Sequence, residues 1–523
     1  MYINYVSRLV YCAVLCSSCY AFLQKKILSG NFSIVYRCFF IELDKACKGW
    51  AVIMKNSPQT QQNQNLEPNL EPLEADASNS RGGWIANAFQ DFFAQETSGA
   101  IVMLLATAVA LILANTNLHT LLQDFWATEV GFFSGSGHFV HSIEQWLNDG
   151  LMAIFFFVVG LEIKREFIVG ELSTFKKAIL PVVAALGGMA APALIYFSIN
   201  HGTVGAHGWG IPMATDIAFS LGICALLSDR VPHSMKVFLS ALAVADDLGA
   251  IVVIGIFYSS NINWGWLAFA LIPFIVMIVM NKSKVYSIFP YVVAALVLWY
   301  AFLNSGIHAT LAGVIAAMCI PATARVSVPS FIKTAQEKLG LIKEKHVVGT
   351  HVLKCDEEQE AAYTLADLSY GIASPLQRLE HAILPFSNFL ILPLFALANA
   401  EVRFVGEAGG FQFGKVGLGV YLGLVLGKPI GIFTVCWLGT KLNLLSLPDD
   451  MSYKHLLGAG MLAGIGFTMS IFVSNIAFSG KLAPVEMGEA KIAILLASLS
   501  AGIIGSIWLV LLNRPKSARP TVP

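Results

Sequence analysis

The sequence predicts an all-α polytopic membrane protein of about twelve transmembrane helices, two of them broken. Three observations predict it. Of 523 residues, 56% are hydrophobic and only 13% are charged, about half the charge density of a soluble domain. Apolar runs long enough to cross a bilayer recur with short links, where a β-barrel would show alternating segments of about ten residues. One run, Val237–Tyr258, carries two adjacent carboxylates, Asp246 and Asp247, near its centre. Each ionisable group there disfavours insertion by roughly 2.5–3.5 kcal/mol, so the pair costs about 5–7 kcal/mol. A chain keeps such a pair in lipid only if its interior uses it. Buried paired carboxylates suit a small cation and a proton binding in competition, which points to an ion-coupled transporter.

Composition excludes other classes. Lys+Arg and Asp+Glu are both 33, and no basic patch suggests nucleic acid. Five of the nine cysteines (Cys12, Cys16, Cys19, Cys38, Cys47) crowd near the start and four are scattered. None has zinc-site spacing with histidines, and no disulfide framework emerges. No cofactor is expected.

Leu9–Leu23 is apolar but too short to span, and Met54 then opens a polar stretch with the tandem Asn65-Leu-Glu-Pro-Asn-Leu-Glu-Pro72. Residues 1–53 read as a doubtful extension with a possible start at Met54, and 54–83 as a disordered polar tail. Trp84, Phe89, Phe92 and Phe93 predict an amphipathic helix at the interface. The membrane domain runs over 84–512, and 513–523 form a C-terminal tail.

Within the membrane domain, spans are expected near 99–115, 147–169, 178–199, 204–226, 233–258, 265–281, 288–302, 306–320, 378–399, 417–438, 455–478 and 487–511. Loops after spans one, three, five and seven lack Lys and Arg. Loops after spans two, four and six, with adjoining helix ends, carry Lys164, Arg165, Lys176, Lys177, Arg230, Lys236, Lys282 and Lys284. The positive-inside rule places the second set, and both termini, in the cytoplasm. A cleaved signal peptide would invert this pattern. Residues 322–376 read as a long charged cytoplasmic loop inserted between spans. Thr128–Val140, with Ser-Gly-Ser-Gly at its centre, predicts a hairpin on the outer face.

Polar residues inside spans carry the chemistry. Pro212 removes a backbone donor in span four, so the helix breaks just before Thr215 and Asp216. Span eleven has glycines at 458, 460, 464 and 466. Either these permit close packing, or two interrupted helices in corresponding halves mark a midplane ion site between inverted repeats. Lys428 in span ten either pairs with Asp246 or Asp247 or snorkels to water. Asp246 and Asp247 diverge by about 100° around their helix, so one can face a cavity while the other meets Lys428. Asp149, Glu162, Lys164, Arg165, Glu166, His308, Glu380 and His381 lie near span ends, where pH sensing and a solvated structural role are both open.

Ala214-Thr-Asp-Ile-Ala-Phe219, Ala243-Val-Ala-Asp-Asp-Leu-Gly-Ala250, Ser305-Gly-Ile-His-Ala-Thr-Leu-Ala-Gly313, Leu426-Gly-Lys-Pro429 and Gly464-Ile-Gly-Phe-Thr-Met-Ser470 resemble the NhaA sodium/proton antiporter family. The likeness runs from about residue 84 to 512. Inverted repeats are an established feature of that family, so this architecture is carried over with the resemblance. The resemblance implies that Asp247 is the principal sodium and proton carboxylate and that Asp246 exchanges a salt bridge with Lys428. Sodium is then expected at Asp247, Asp246 and Thr215, where the two broken helices cross. Asp216 would offset the positive half-helix ends and Lys428 the negative ones. The resemblance further implies electrogenic exchange activated at alkaline pH, pH-response residues at Glu162, Arg165, Glu166 and Glu380, and a homodimer through the hairpin. It implies transport of Na+, and by extension Li+, against H+ across a bacterial inner membrane.

Three departures stand out: the long N-terminus, the enlarged 322–376 segment, and Leu384, where some members carry a histidine three residues after the Glu380-His381 pair. The alternatives are exchange of another monovalent cation, a passive channel and an intramembrane aspartyl protease. Protease aspartates normally face each other from separate helices, whereas these are adjacent and diverge.

Overall fold

Among the described residues the expected spans fold as helices, two of them interrupted. The computed structural model describes residues 96–134, 137–227, 230–259, 262–345, 356–402, 413–479 and 484–512. The expectations for 1–53, for the polar tail, for the interfacial helix at Trp84 and for 513–523 fall outside the described residues. Helix α1 (Glu96–Ala114) and the short α2 (His119–Ala127) lead into an antiparallel hairpin, β1 (Glu129–Ser134) and β2 (Gly137–Ser142). Its register pairs Glu129 with Ser142 and Ser134 with Gly137. The expected hairpin is therefore present.

Helix α3 (Ile143–Ile168) begins directly after β2, and Ser142 and Gln145 close a capping box at its start. Helix α4 (Phe175–Asn200) is followed by a 3-10 helix (Val204–Met213), α5 (Ile217–Leu226) and α6 (His233–Phe257). Then come α7 (Trp264–Lys282), α8 (Phe289–Ser305) and α9 (Thr310–Cys319). Residues 322–376, read from their charge as a loop, instead form α10 (Val328–Lys345) and α11 (Asp356–Ile372). An Arg325–Asp367 ion pair ties α11 to the segment before α10, and Gly371 accepts the Arg325 and Val326 backbone N–H groups at 3.0 and 3.1 Å. Charge told of solvent contact but not of local conformation. Helices α12 (Pro375–Asn399) and α13 (Lys415–Lys441) precede α14 (Tyr453–Ala463), α15 (Phe467–Ala477) and α16 (Pro484–Leu512).

Among the described residues, eight helices are long and apolar enough to cross a membrane, or ten spans if each bent pair counts as one. The expected twelve is reached only if α8 and α9 also cross. At 10 residues α9 extends about 15 Å, roughly half the hydrocarbon thickness, so length alone does not establish it.

Small residues set the closest approaches. A Cβ on Gly431 would lie 2.1 Å from the Gly187 carbonyl oxygen, so α13 and α4 meet backbone to backbone. Helix α6 also passes close to α4, with Gly249 leaving room for the Met189 side chain. By contrast α7 presents large apolar side chains outward, including Leu271, Ile272, Ile275 and Val279, as a lipid-facing helix must. Among the described residues, three spans contain one π-helical stretch each: Trp146–Leu151 in α3, Ser387–Ile391 in α12 and Gly423–Gly427 in α13. An extra residue in a turn rotates the helix beyond it, and the stretch in α13 ends immediately before Lys428.

Candidate ion site

Both expected breaks are real. The 3-10 helix stops at Met213, Ala214–Asp216 run extended, and α5 leaves bent by 40°. Helix α14 stops at Ala463 and α15 leaves bent by 50°. Pro212 sits at the end of the first half-helix, where its missing N–H and its ring oppose continuation. In the second, glycine allows contact: a Cβ on Gly464 would lie 2.5 Å from the Leu424 carbonyl oxygen.

The two links cross and satisfy each other. The Asp216 N–H donates to the Ile465 carbonyl at 2.7 Å, the Thr215 hydroxyl lies 2.9 Å from the Ala463 carbonyl, and the Ser470 hydroxyl donates to the Ile211 carbonyl at 2.9 Å. Carbonyls freed by one break thus find donors on the other segment, as burial demands. The Asp216 carboxylate accepts from the Phe219 N–H at 3.1 Å, the Thr468 N–H at 3.1 Å and the Thr468 hydroxyl. One carboxylate therefore caps two half-helix N-termini, α5 and α15, where positive dipole ends meet.

Helix α6 brings Asp246 and Asp247 to this crossing, each 1% exposed, and α13 brings Lys428, which is fully buried. Lys428 does not snorkel. Its ammonium pairs with Asp246 Oδ2 and donates to Thr215 Oγ1. The Thr215 hydroxyl has one proton, shared between Asp246 Oδ2 and Ala463 O as alternative acceptors. Lys428 thus reaches the negative end of α14 through Thr215 rather than directly.

Asp247 is different. Both its carboxylate oxygens, and Asp246 Oδ1, are buried and receive no donor from the protein. Three acceptor oxygens on adjacent residues lack a positive partner, and a proton or a small hard cation is the chemistry that supplies one. Of the three expected sodium ligands, the two aspartates present free oxygens here, while Thr215 is engaged by Lys428 and Ala463.

Of the span-end candidates, the structure gathers Arg165, Glu166 and Glu380. The Arg165 guanidinium meets Glu380 at 2.6 Å and Glu166 at 3.5 Å. Glu380 is buried, and Glu162 lies half-buried one turn before Glu166 on α3. Lys164 instead donates to the Met318 and Ile320 carbonyls, closing the C-terminus of α9. Asp149 stands about 24 Å up α3 from Arg165, in the π-helical stretch, where its backbone carbonyl accepts the Trp299 indole N–H. His308 lies in the link between α8 and α9, on neither helix of the cluster.

Sequence reasoning passed over Thr468 and Ser470 as site residues. Their signal was present: hydroxyl side chains in the first turn after a glycine-rich break are the residues that bond loose backbone.

Crossed half-helices around buried, partly unpartnered carboxylates define a membrane transporter with its centre at the interruptions. The chain belongs to the Na+/H+ antiporter 1 family, whose pattern it matches over residues 90–509. It is 47% identical over 425 residues to the Na(+)/H(+) antiporter NhaA of Helicobacter pylori, covering 81% of this chain and 95% of that one. The protein of the same description from Sulfurimonas denitrificans is 45% identical over 427 residues, covering 81% and 95%. That from Oleidesulfovibrio alaskensis is 44% identical over 426 residues, covering 82% and 94%. A solved structure, the sodium proton antiporter MjNhaP1 from Methanocaldococcus jannaschii at pH 8, aligns with 82% of this chain and 98% of its own at a TM-score of 0.42 and 14% identity.

Proposed function

We propose that this protein exchanges Na+ for H+ across a bacterial inner membrane, with Asp247 as the carboxylate for which the two ions compete. The observation that carries the reading is the buried Asp247 carboxylate without a protein donor, beside an Asp246 already held by Lys428. Sodium reaching the site takes oxygens from both aspartates and displaces the proton on Asp247. Thr215 joins the ligand set when Lys428 moves away from it. Two carboxylates and one lysine give more than one proton site per cation, which supports electrogenic exchange. Li+, smaller and harder, also suits carboxylate and hydroxyl oxygens.

Arg165, Glu166, Glu380 and the nearby Glu162 form the pH-responsive group of this reading, with Asp149 and His308 as outlying members. The lysine- and arginine-bearing helix ends face the cytoplasm together with both termini, and the hairpin pairs two copies into a homodimer. No enzymatic step is part of this reading.

Purified protein in proteoliposomes with a trapped pH dye tests it. Adding Na+ or Li+ should dequench the dye, and K+ should not. Proton movement with K+ alone would make this an antiporter of another cation.

A further inference from the structure

Two layers of side chains separate the carboxylate site from the face that carries the β-hairpin. Thr468, bonded to Asp216, begins a column along α15 that continues through Phe472 to Asn475, seven residues and about 10 Å further on. Phe472 packs against Phe156 of α3 and Phe395 of α12, with ring centroids 5.1 and 6.2 Å apart. All three rings are buried. Beyond them, Asn475 donates to Asn399 Oδ1, and Asn399 donates to Asn148 Oδ1 at 2.9 Å. Each layer takes one residue from each of the same three helices, aromatic inside and amide outside.

The hydrogen bonds fix how the amides point. Asn399 Nδ2 also donates to the Phe395 carbonyl at 3.1 Å, so its Oδ1 must receive Asn148 and Asn475. That leaves Asn475 Oδ1 buried with no partner. The layer is closed yet incompletely satisfied, and Asn475 is its member on the half-helix whose first turn is bonded to Asp216.

We propose that Asn148, Asn399 and Asn475 form a latch that positions α15 against α3 and α12 and releases when the site opens toward the hairpin face. This rests on the exchange reading above. Release lets water reach the unpartnered Asn475 oxygen and moves Phe472 off Phe156 and Phe395. Asn399, which holds both other amides, is the positioning residue.

The test uses Asn475→Cys in the full chain, reconstituted with the hairpin face outward, and a membrane-impermeant methanethiosulfonate. The unaltered chain measures background labelling from native cysteines and its own Na+-driven proton movement. Labelling should accelerate about tenfold during imposed Na+/H+ exchange relative to sodium-free vesicles at symmetric pH, as for a site exposed only in a minor state. Hydrogen–deuterium exchange over 472–479 in the unaltered chain gives a second readout and should also quicken during exchange. Labelling that stays at the background rate under both conditions, or unchanged deuterium uptake in the unaltered chain, overturns the latch while leaving antiport intact. An unaltered chain that moves no protons overturns the functional reading instead.

Discussion

Asp246 and Asp247 are neighbours in sequence with opposite fates. One is tied to Lys428 and Thr215, the other has no donor from the protein. Asp247→Asn keeps the volume and removes the contested charge, so Na+-driven proton release in proteoliposomes should be lost at every pH. Asp246→Asn breaks the lysine pair and leaves Asp247 intact, so calorimetric Na+ binding should persist while the pH profile of transport shifts. Retained Na+-coupled proton movement in Asp247→Asn would remove that residue as the ion carrier. Lys428→Ala leaves the Asp246 carboxylate buried without its counter-charge, a loss of about 3–5 kcal/mol for such pairs. Thermal unfolding in detergent should move sharply downward, and an unchanged melting curve would mean the pair contributes little. The residue types were legible because a charge in an apolar run is conspicuous. Their division of labour was implied only by the family resemblance and not by the residues themselves, because the packed helices decide which carboxylate meets the lysine.

Helices were legible wherever a run was long and apolar, and both breaks were legible from Pro212 and the glycines around 464. The three π-helical stretches were not, since a single widened turn leaves no clear period in the residues. The helices of 328–372 were missed for a related reason: a polar, charged segment reads alike as helix surface and as loop. The α4–α13 crossing is the element contact most open to test. Gly431→Ala would drive a methyl to 2.1 Å from the Gly187 carbonyl and force the helices apart at the level of Lys428. A loss of about 1–3 kcal/mol in stability is expected, with weakened Na+-driven proton movement, because overpacking a close crossing displaces backbone. Wild-type melting and transport in Gly431→Ala would show that the crossing is slack.

At the scale of the whole molecule, the matched region begins near residue 90, well after Met54. A chain shortened to Met54 should insert and exchange Na+ for H+ at about the full chain's rate, since the whole matched region, 90–509, lies after the cut. Dye dequenching in proteoliposomes made from both chains measures this. Loss of transport in the shortened chain would give residues 1–53 a functional role.

By itself the sequence determined the environment: hydropathy dictates a membrane protein, an apolar helix cannot carry two carboxylates idly, and proline and clustered glycine dictate where spans break. These are local properties, set by each residue's transfer energy and backbone freedom. Tertiary structure alone decided that Asp216 caps two helices from distant parts of the chain, as Thr468 and Asp216 are separated by 252 residues. It also decided that Thr215 stands between Lys428 and Ala463, and that Asp247, which the family resemblance had singled out, is the carboxylate without a protein donor. Those facts depend on how close two backbones come, and that distance is set by packing across the whole bundle.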